Sequence, residues 1–112
     1  MQIKESQINE FGLHATKKYL KNEIIFILSG PEYNYPTRET IYVGNNKHIY
    51  DKFGIYMNHS FNPSVYISHY DVIALHDINI GDELTFNYND NEIHMAAPFY
   101  INNILICGKN IK

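Results

Sequence analysis

The sequence predicts a small, mainly β domain with little helix. Three observations support this prediction: the chain has 112 residues, 45% of which are hydrophobic, its apolar residues form short runs, and turn-forming residues separate those runs. A second hydrophobic core would need roughly another 50 residues or more, so we expect one domain over residues 1–112. No stretch keeps a helical period of about 3.6 residues for longer than a turn or two.

The N-terminal third contains two predicted strands and a loop. Residues 24–28 form an apolar run that ends at Ser29-Gly30-Pro31 and is typical of a buried strand. Residues 12–16 are predicted to form another strand, and Lys21-Asn22 is a turn signal between the two. We therefore expect these strands to form a hairpin, followed by a loop over residues 30–36, which contain Gly and Pro.

The middle of the chain predicts two further hairpins. Residues 40–43 are rich in β-branched and aromatic side chains, residues 44–46 (GNN) form a turn signal, and residues 48–50 continue on the far side. Residues 65–67 and 71–75 are apolar runs on either side of the turn-prone residues 68–70.

The C-terminal third predicts a turn and then a strand. Residues 78–82 form the turn, and residues 83–88 form a strand with Leu84 and Phe86 on one face. Residues 93–100 are predicted to hold one short helical turn, which Pro98 interrupts.

The charge of the chain is unevenly distributed. The net charge is -3, but residues 53–108 contain six carboxylates and no Lys or Arg. A negative field disfavours nucleic acid and favours a cationic partner such as a lysine-rich peptide, although simple surface solubilisation explains this composition equally well. We therefore expect no direct nucleic-acid binding.

The sequence also indicates a cellular compartment. No run approaches the roughly 18 apolar residues of a membrane span, and the N-terminus MQIKESQINEFG has no apolar signal segment. The single cysteine cannot form an internal disulfide. We expect a soluble, intracellular protein of the cytoplasm, or of the nucleus of the cell or its host, with no membrane association.

Three segments occur in order along the chain: GLHA at residues 12–15, GIYMNHSFNPS at residues 54–64, and ALHDINIGDELTFNY at residues 74–88. None is specific alone, because Asn, Ser and Pro are common in turns. In this order and spacing they resemble the SET domain family, and in particular small single-domain protein-lysine N-methyltransferases of the bacterial or viral type. The resemblance implies several short antiparallel sheets with a pseudoknot near the C-terminus, where the strand ending at Tyr88 packs beside Asn58-His59-Ser60.

The resemblance also implies an activity, namely S-adenosylmethionine-dependent methyl transfer to the lysine side-chain amine of a protein substrate, histones included. Tyr88 matches the family's catalytic tyrosine, and its hydroxyl would orient the amine. The residues implied in binding S-adenosylmethionine are Phe11, Gly12, Leu13, Asn58, His59 and Tyr88. Those implied in lining the substrate channel are Tyr56, Phe86 and Tyr100. Because Phe86 has no hydroxyl to hold a water there, the resemblance implies that di- or trimethylation is sterically permitted.

The chain departs from the family pattern at both ends. The first motif usually reads Gly-x-Gly, whereas this chain has Glu10-Phe11-Gly12, which puts cofactor affinity in question. The C-terminal segment, residues 98–112, resembles a degenerate post-SET tail after a core of residues 1–97. With Cys107 alone it cannot build the usual zinc site, so we expect it to close the lysine channel by packing, and we expect no metal site. The six histidines show no ligand pattern.

Two rival hypotheses stay open. The chain could be a catalytically silent SET-like module that binds a partner peptide, as the lost first glycine suggests. A small β-rich assembly protein without pocket chemistry is a third reading. Because a bare SET core lacks flanking domains, we also expect a homodimer in which the partner helps to cover the substrate channel.

Overall fold

The computed structural model describes residues 1–92, 95–96 and 98–108. These residues form short strands, one 3-10 turn (Gly54–Tyr56) and one four-residue helix, α1 (Tyr88–Asn91). The strands are β1 (Gln2–Glu5), β2 (Phe11–His14), β3 (Ile24–Ile27), β4 (Glu32–Tyr33), β5 (Ile41–Gly44), β6 (Lys47–Ile49), β7 (Asn58–His59), β8 (Val65–Ser68), β9 (Asp71–Ala74), β10 (Glu83–Phe86), β11 (Phe99–Ile101) and β12 (Ile104–Ile106). The predicted mainly β fold is therefore confirmed. None of the described helices is long and apolar enough to cross a membrane.

A four-stranded sheet with the order β1-β2-β10-β7 places the functional motifs side by side. β10 runs antiparallel to β2 with Leu84 opposite Leu13, and both side chains are fully buried. On its other edge β10 runs parallel to β7, with Phe86 opposite His59. The predicted packing of this strand beside the Asn-His-Ser segment is therefore confirmed.

The predicted hairpin between residues 12–16 and 24–28 is wrong. β2 pairs with β1 and β10, while β3 pairs with β9 in a second sheet ordered β3-β9-β8. Asn22 does form a turn, with φ of 71°, but its N–H donates to the carbonyl of Ala74 (2.8 Å) and so leads the chain to β9. β1 takes the place beside β2, and apolar periodicity cannot predict it because all four of its residues are exposed.

The two hairpins predicted in the middle of the chain are confirmed. β5 and β6 pair through a turn in which Asn45 and Asn46 both have positive φ, 52° and 59°, as tight hairpin turns require. β8 and β9 pair with Val65 opposite Ala74. The segment predicted as a loop contains β4, which pairs with β6; two residues are too few to show a strand period.

The strand predicted over residues 83–88 ends two residues early. The side chain of Asn87 accepts a hydrogen bond from the N–H of Asn89 (3.0 Å) and caps α1, so Tyr88 is the first residue of a helical turn. Of the segment predicted to hold a helical turn, residues 93, 94 and 97 lie outside the described residues. Residues 99–101 form β11, which pairs with β12.

One apolar cluster joins the sheets. It includes Leu13 and Leu84 from the first sheet, Val65 and Val72 from the second, and Ile49 from the sheet ordered β4-β6-β5. Each of these side chains is at most 1% exposed, and full burial of one such side chain contributes about 1.5–3 kcal/mol. This shared core fixes the positions from which the loops and α1 reach the site.

Candidate functional site

A cavity of about 600 Å³ lies beside β7 and the residues that follow β10. This volume falls within the range of roughly 300–1,000 Å³ that is typical of small-molecule sites. The wall of the cavity includes Met57, Asn58, His59, Phe86, Tyr88, Glu92, Phe99 and Ile101. The cavity therefore collects side chains from the Asn-His-Ser segment, from the strand and turn around Tyr88, and from the C-terminal hairpin.

The structure brings four of the predicted site residues to this cavity: Asn58, His59, Phe86 and Tyr88. The other predicted residues do not line it; they are Phe11, Gly12, Leu13, Tyr56 and Tyr100. Leu13 is fully buried in the core, Phe11 is half exposed on β2, and Tyr100 is 70% exposed.

Asn58 holds the first motif against β10. Its side-chain amide donates to the backbone carbonyl of Phe11 (2.9 Å) and to Oε2 of Glu83 (2.8 Å). The other oxygen of Glu83 accepts from the hydroxyl of Ser6 (2.6 Å). A buried amide with two acceptors is well satisfied, so this network ties residues 6–11 to the edge of the cavity.

Gly12 leaves space for a neighbouring carboxylate, which the sequence does not show. A Cβ at this position would lie 2.7 Å from Cδ of Glu83 and 3.1 Å from Cβ of Ser6. The first of these distances is shorter than real Cβ contacts allow. The absent side chain therefore makes room for the Glu83 carboxylate that binds Asn58.

His59 is neutral, and its hydrogen bonds define its tautomer. Burial lowers the pKa of the imidazole below its ordinary value, although the negative charge of Asp90 opposes that effect. Nδ1 accepts a hydrogen bond from the backbone N–H of Tyr88 (3.0 Å), so Nε2 carries the proton. This buried Nε2 has no hydrogen-bond partner among the described residues. The cavity wall therefore contains one unused donor.

The hydroxyl of Tyr88 has a fixed direction. It donates to the carbonyl of Met57 (2.7 Å), so the lone pairs of the phenol oxygen remain available as acceptors. Burial, followed by the negative charges of Glu92 and Glu83, raises the pKa of Tyr88 well above its ordinary value. Tyr88 is therefore a neutral acceptor at physiological pH and not a phenolate base.

Aromatic rings surround the Tyr88 side chain. The ring of Phe86 lies 4.7 Å from that of Tyr88, between centroids. His59 contacts Tyr88 edge-on at 5.2 Å, and Phe99 approaches both His59 (6.3 Å) and Tyr88 (6.2 Å) in the same manner. Such rings provide an apolar, low-dielectric surrounding around a hydroxyl acceptor.

Sequence reasoning did not assign Met57, Glu92, Phe99 and Ile101 of this wall to the site. Phe99 was assigned only to a packing tail, and Glu92 was counted only among the acidic residues. Glu92 is 5% exposed, and it follows Tyr88 by four positions, so the two residues share one side of the helical turn. That spacing from Tyr88 is the signal that could have found it.

Metal ligands do not cluster in the part of the chain that the structure describes: no three His, Cys, Asp or Glu side chains are placed to hold a metal ion. Cys107 is partly buried and unpaired with another cysteine. Its backbone N–H instead donates to Oδ1 of Asn89 (3.0 Å). This hydrogen bond ties the C-terminal hairpin to α1.

Comparison with known proteins agrees with this fold. The SET domain model matches residues 10–89. The chain therefore belongs to the SET domain family, a family of the lysine methyltransferase type. A candidate histone methyltransferase of Plasmodium falciparum superposes with a TM-score of 0.66 and 26% identity, over 80% of this chain and 97% of that chain.

A more distant solved structure shows the fold alone. A humanized mutant of Polycomb Repressive Complex 2 from Chaetomium thermophilum, bound to an inhibitor, gives a TM-score of 0.61 at 19% identity. The match covers 95% of this chain but 18% of that one. Among curated proteins no significant match is found.

Proposed function

We propose that this protein transfers methyl groups from S-adenosylmethionine to the lysine side-chain amine of a protein substrate. The observation that carries the proposal is the hydroxyl of Tyr88, which donates to the Met57 carbonyl and so presents an acceptor on the cavity wall beside Asn58 and His59. Tyr88 is the catalytic residue in this proposal. The chain's membership of the SET domain family supports it.

The chemistry needs a neutral amine in a fixed position. A free lysine, with a pKa of about 10.4, is almost wholly protonated at pH 7. The neutral oxygen of Tyr88 would accept an N–H of the amine and direct its lone pair. When bound, S-adenosylmethionine would supply a methyl group on a positive sulfonium. Orientation of this kind contributes up to roughly 7–11 kcal/mol in ideal intramolecular reactions.

The residues present fit the methyl donor. The buried Nε2–H of His59 has no acceptor among the described residues, and a nucleoside with ring nitrogens offers one. Asn58, His59 and Tyr88 would hold the donor from the cavity wall. The backbone of Phe11, Gly12 and Leu13 would contribute only from outside the cavity, since β2 lies between β1 and β10 and these residues do not line the cavity.

Phe86 bears on the degree of methylation. Its ring lies against Tyr88 in the cavity wall and carries no hydroxyl to hold a water beside the amine. We propose that the site accepts di- and trimethylated products. Mass spectrometry of a methylated peptide after long incubation checks this, and a product that stops at one methyl group would contradict it.

A second candidate function is a silent SET-like module that binds a partner peptide. It is favoured by Asn58, whose amide is already bound to Phe11 and Glu83, and by the position of Phe11 and Gly12 outside the cavity. Peptide binding without methyl transfer requires none of these groups to face a cofactor.

Calorimetry and a transfer assay separate the two functions. The purified chain is titrated with S-adenosylmethionine, then incubated with radiolabelled methyl donor and a mixture of lysine-rich histone-tail peptides. We expect saturable binding and label on lysine. Peptide binding without detectable donor binding or label would establish the silent module instead.

The homodimer stays a prediction. A second copy would cover the substrate channel if the bare core leaves that channel open. Light scattering at the concentration of the assay checks it, and a monomeric mass in an active sample would remove it.

A further inference from the structure

Glu92 is a buried carboxylate that the proposed chemistry has not used. It caps the C-terminal end of α1, and its backbone N–H donates to the carbonyl of Tyr88 (2.8 Å). Its two oxygens accept from the backbone N–H of Tyr42 at 3.2 and 3.0 Å, and Oε2 also accepts from the side-chain amide of Asn91 (2.6 Å). The carboxylate is therefore held in one orientation on the cavity wall.

No cation balances this carboxylate within the described residues. The nitrogen–carboxylate contact found there, at 3.9 Å, joins Nε2 of His14 to Glu83 and is an ion pair only when the imidazole is protonated. Every hydrogen bond to the Glu92 side chain comes from a neutral amide. Burial raises the pKa of Glu92 to about 7, although the Tyr42 and Asn91 hydrogen bonds oppose that effect. Burial of a carboxylate without a cationic partner is costly, and a carboxyl group with a raised pKa in a cavity wall is typical of a functional site.

The charged and titratable groups around Glu92 are few. Tyr88 lies on the same helical turn, and its pKa is raised first by burial and then by the negative charge of Glu92. On the neighbouring sheet, the ring of His48 contacts that of Tyr42. Arg38 and Glu39 line the cavity from exposed positions before β5, and His59 lines it from β7.

We propose that Glu92 binds the ammonium group of the substrate lysine and accepts its proton, a role that rests on the proposed methyl transfer. The step is balanced: one N–H bond of the ammonium breaks, one O–H bond forms on the carboxylate, and a neutral amine and a neutral carboxylic acid result. The amine is then held by the acceptor oxygen of Tyr88. After the product leaves, the carboxylic acid returns its proton to water.

This role accounts for two features together. Glu92 follows Tyr88 by one helical turn and lines the same cavity, and its neutral hydrogen-bond donors fix the carboxylate without neutralising its charge. A side chain with a purely structural role would need only acceptor oxygens, and a glutamine would supply one of them to Tyr42. Glu92→Gln therefore separates the charge of the side chain from its role as a hydrogen-bond acceptor for Tyr42 and Asn91.

The test compares wild type, Glu92→Gln and Asp71→Asn, which removes one carboxylate from β9, away from the cavity. Methyl transfer to a lysine-rich histone-tail peptide is measured from pH 6 to 10, with donor affinity measured separately by calorimetry. We expect Glu92→Gln to lower kcat/KM at least tenfold near pH 7.5. Its rate should recover as the pH approaches that of free lysine ionisation, while donor affinity changes less than twofold.

Peptide binding without the methyl donor provides a readout that does not depend on turnover. Fluorescence anisotropy should show at least tenfold weaker binding of the same peptide to Glu92→Gln at pH 8, and no change for Asp71→Asn. If wild type transfers methyl groups and Glu92→Gln keeps its rate, pH profile and peptide affinity, this role of Glu92 is overturned while the proposed function stands. If no transfer occurs but the peptide-affinity difference is found, the proposed function fails and the ammonium site remains. Equal losses in both variants would also overturn the role.

Discussion

The two walls of the cavity differ in how the fold builds them. The sheet wall, Asn58, His59 and Phe86, is set by the parallel register of β7 and β10. The C-terminal wall, Glu92, Phe99 and Ile101, is placed by a four-residue helical turn and a short hairpin. Neighbouring strands fix which side chains lie opposite each other, whereas a short turn and hairpin depend on local caps and packing. Tyr88 lies where the two walls meet.

The largest effect should come from Tyr88→Phe. The change removes the oxygen acceptor and leaves the ring, so methyl transfer should fall by at least about 100-fold, as when one oriented polar group is lost from an active site. The hydrogen bond to Met57 is also lost, which should lower the free energy of unfolding by about 1 kcal/mol. Transfer rates and thermal unfolding are measured on the same samples.

This substitution tests whether both walls serve one reaction. Tyr56→Phe is the matched control, because Tyr56 loses the same hydroxyl from a residue that does not line the cavity. Activity retained in Tyr88→Phe would remove the mechanistic assignment. An equal loss in Tyr56→Phe would restore its predicted place in the channel.

The sheet wall was largely predictable from sequence, and the C-terminal wall was not. The order of GIYMNHSFNPS and GDELTFNY carries the resemblance to the SET domain family, which implied Asn58, His59 and Phe86 as site residues. The parallel pairing of β7 and β10 places Phe86 opposite His59. The helix cap at Asn87 moves Tyr88 out of the strand. A helix of four residues is too short to produce an apolar period in the sequence.

The errors at the N-terminus have a similar physical origin. The predicted hairpin partner of residues 12–16 is replaced by β1, whose exposed residues carry no periodic signal. Gly12 was predicted to bind the cofactor, yet the nearest atoms to its missing side chain belong to Glu83. Both outcomes depend on contacts between residues far apart in sequence, which local pattern cannot show.

The next effect concerns the stability of the C-terminal wall as a function of pH. Burial raises the pKa of Glu92 from 4.5 to about 7, so the folded state binds the proton more tightly than the unfolded state. The resulting stability is complete below pH 4.5 and is lost as the pH rises through 7. The difference corresponds to about 3 kcal/mol.

Urea unfolding between pH 4 and 8 measures this dependence. Wild type should lose up to about 3 kcal/mol more than Glu92→Gln across that interval, because glutamine does not ionise. Parallel curves for the two proteins would show that Glu92 does not titrate within this window. Asp71→Asn controls for the loss of one carboxylate.

A smaller effect is expected at the edge of the sheet wall. Gly12→Ala would place a Cβ 2.7 Å from Cδ of Glu83, and that carboxylate could move only by losing its hydrogen bonds to Ser6 or Asn58. Overpacking of this kind destabilises a protein by about 1–3 kcal/mol. Chemical unfolding measures the change.

A double-mutant cycle with Glu83→Ala shows whether contact with the Glu83 carboxylate causes the loss of stability in Gly12→Ala. Removing the carboxylate should relieve most of the effect of Gly12→Ala, so the two changes should not be additive. Additive losses would mean that Gly12 is not needed to accommodate the Glu83 carboxylate. A backbone contact between Gly12 and a ligand would then be the remaining explanation.

The smallest effect separates two neighbours on β11. Phe99 lines the cavity near His59 and Tyr88, whereas Tyr100, which the sequence predicts in the channel, is 70% exposed. Phe99→Ala should weaken peptide or donor binding by about 1 kcal/mol through loss of the aromatic contacts, and Tyr100→Ala should leave both unchanged. Calorimetry on both variants measures these affinities. Because adjacent residues of a strand face opposite sides, the reverse result would mean that β11 presents Tyr100, and not Phe99, to the cavity.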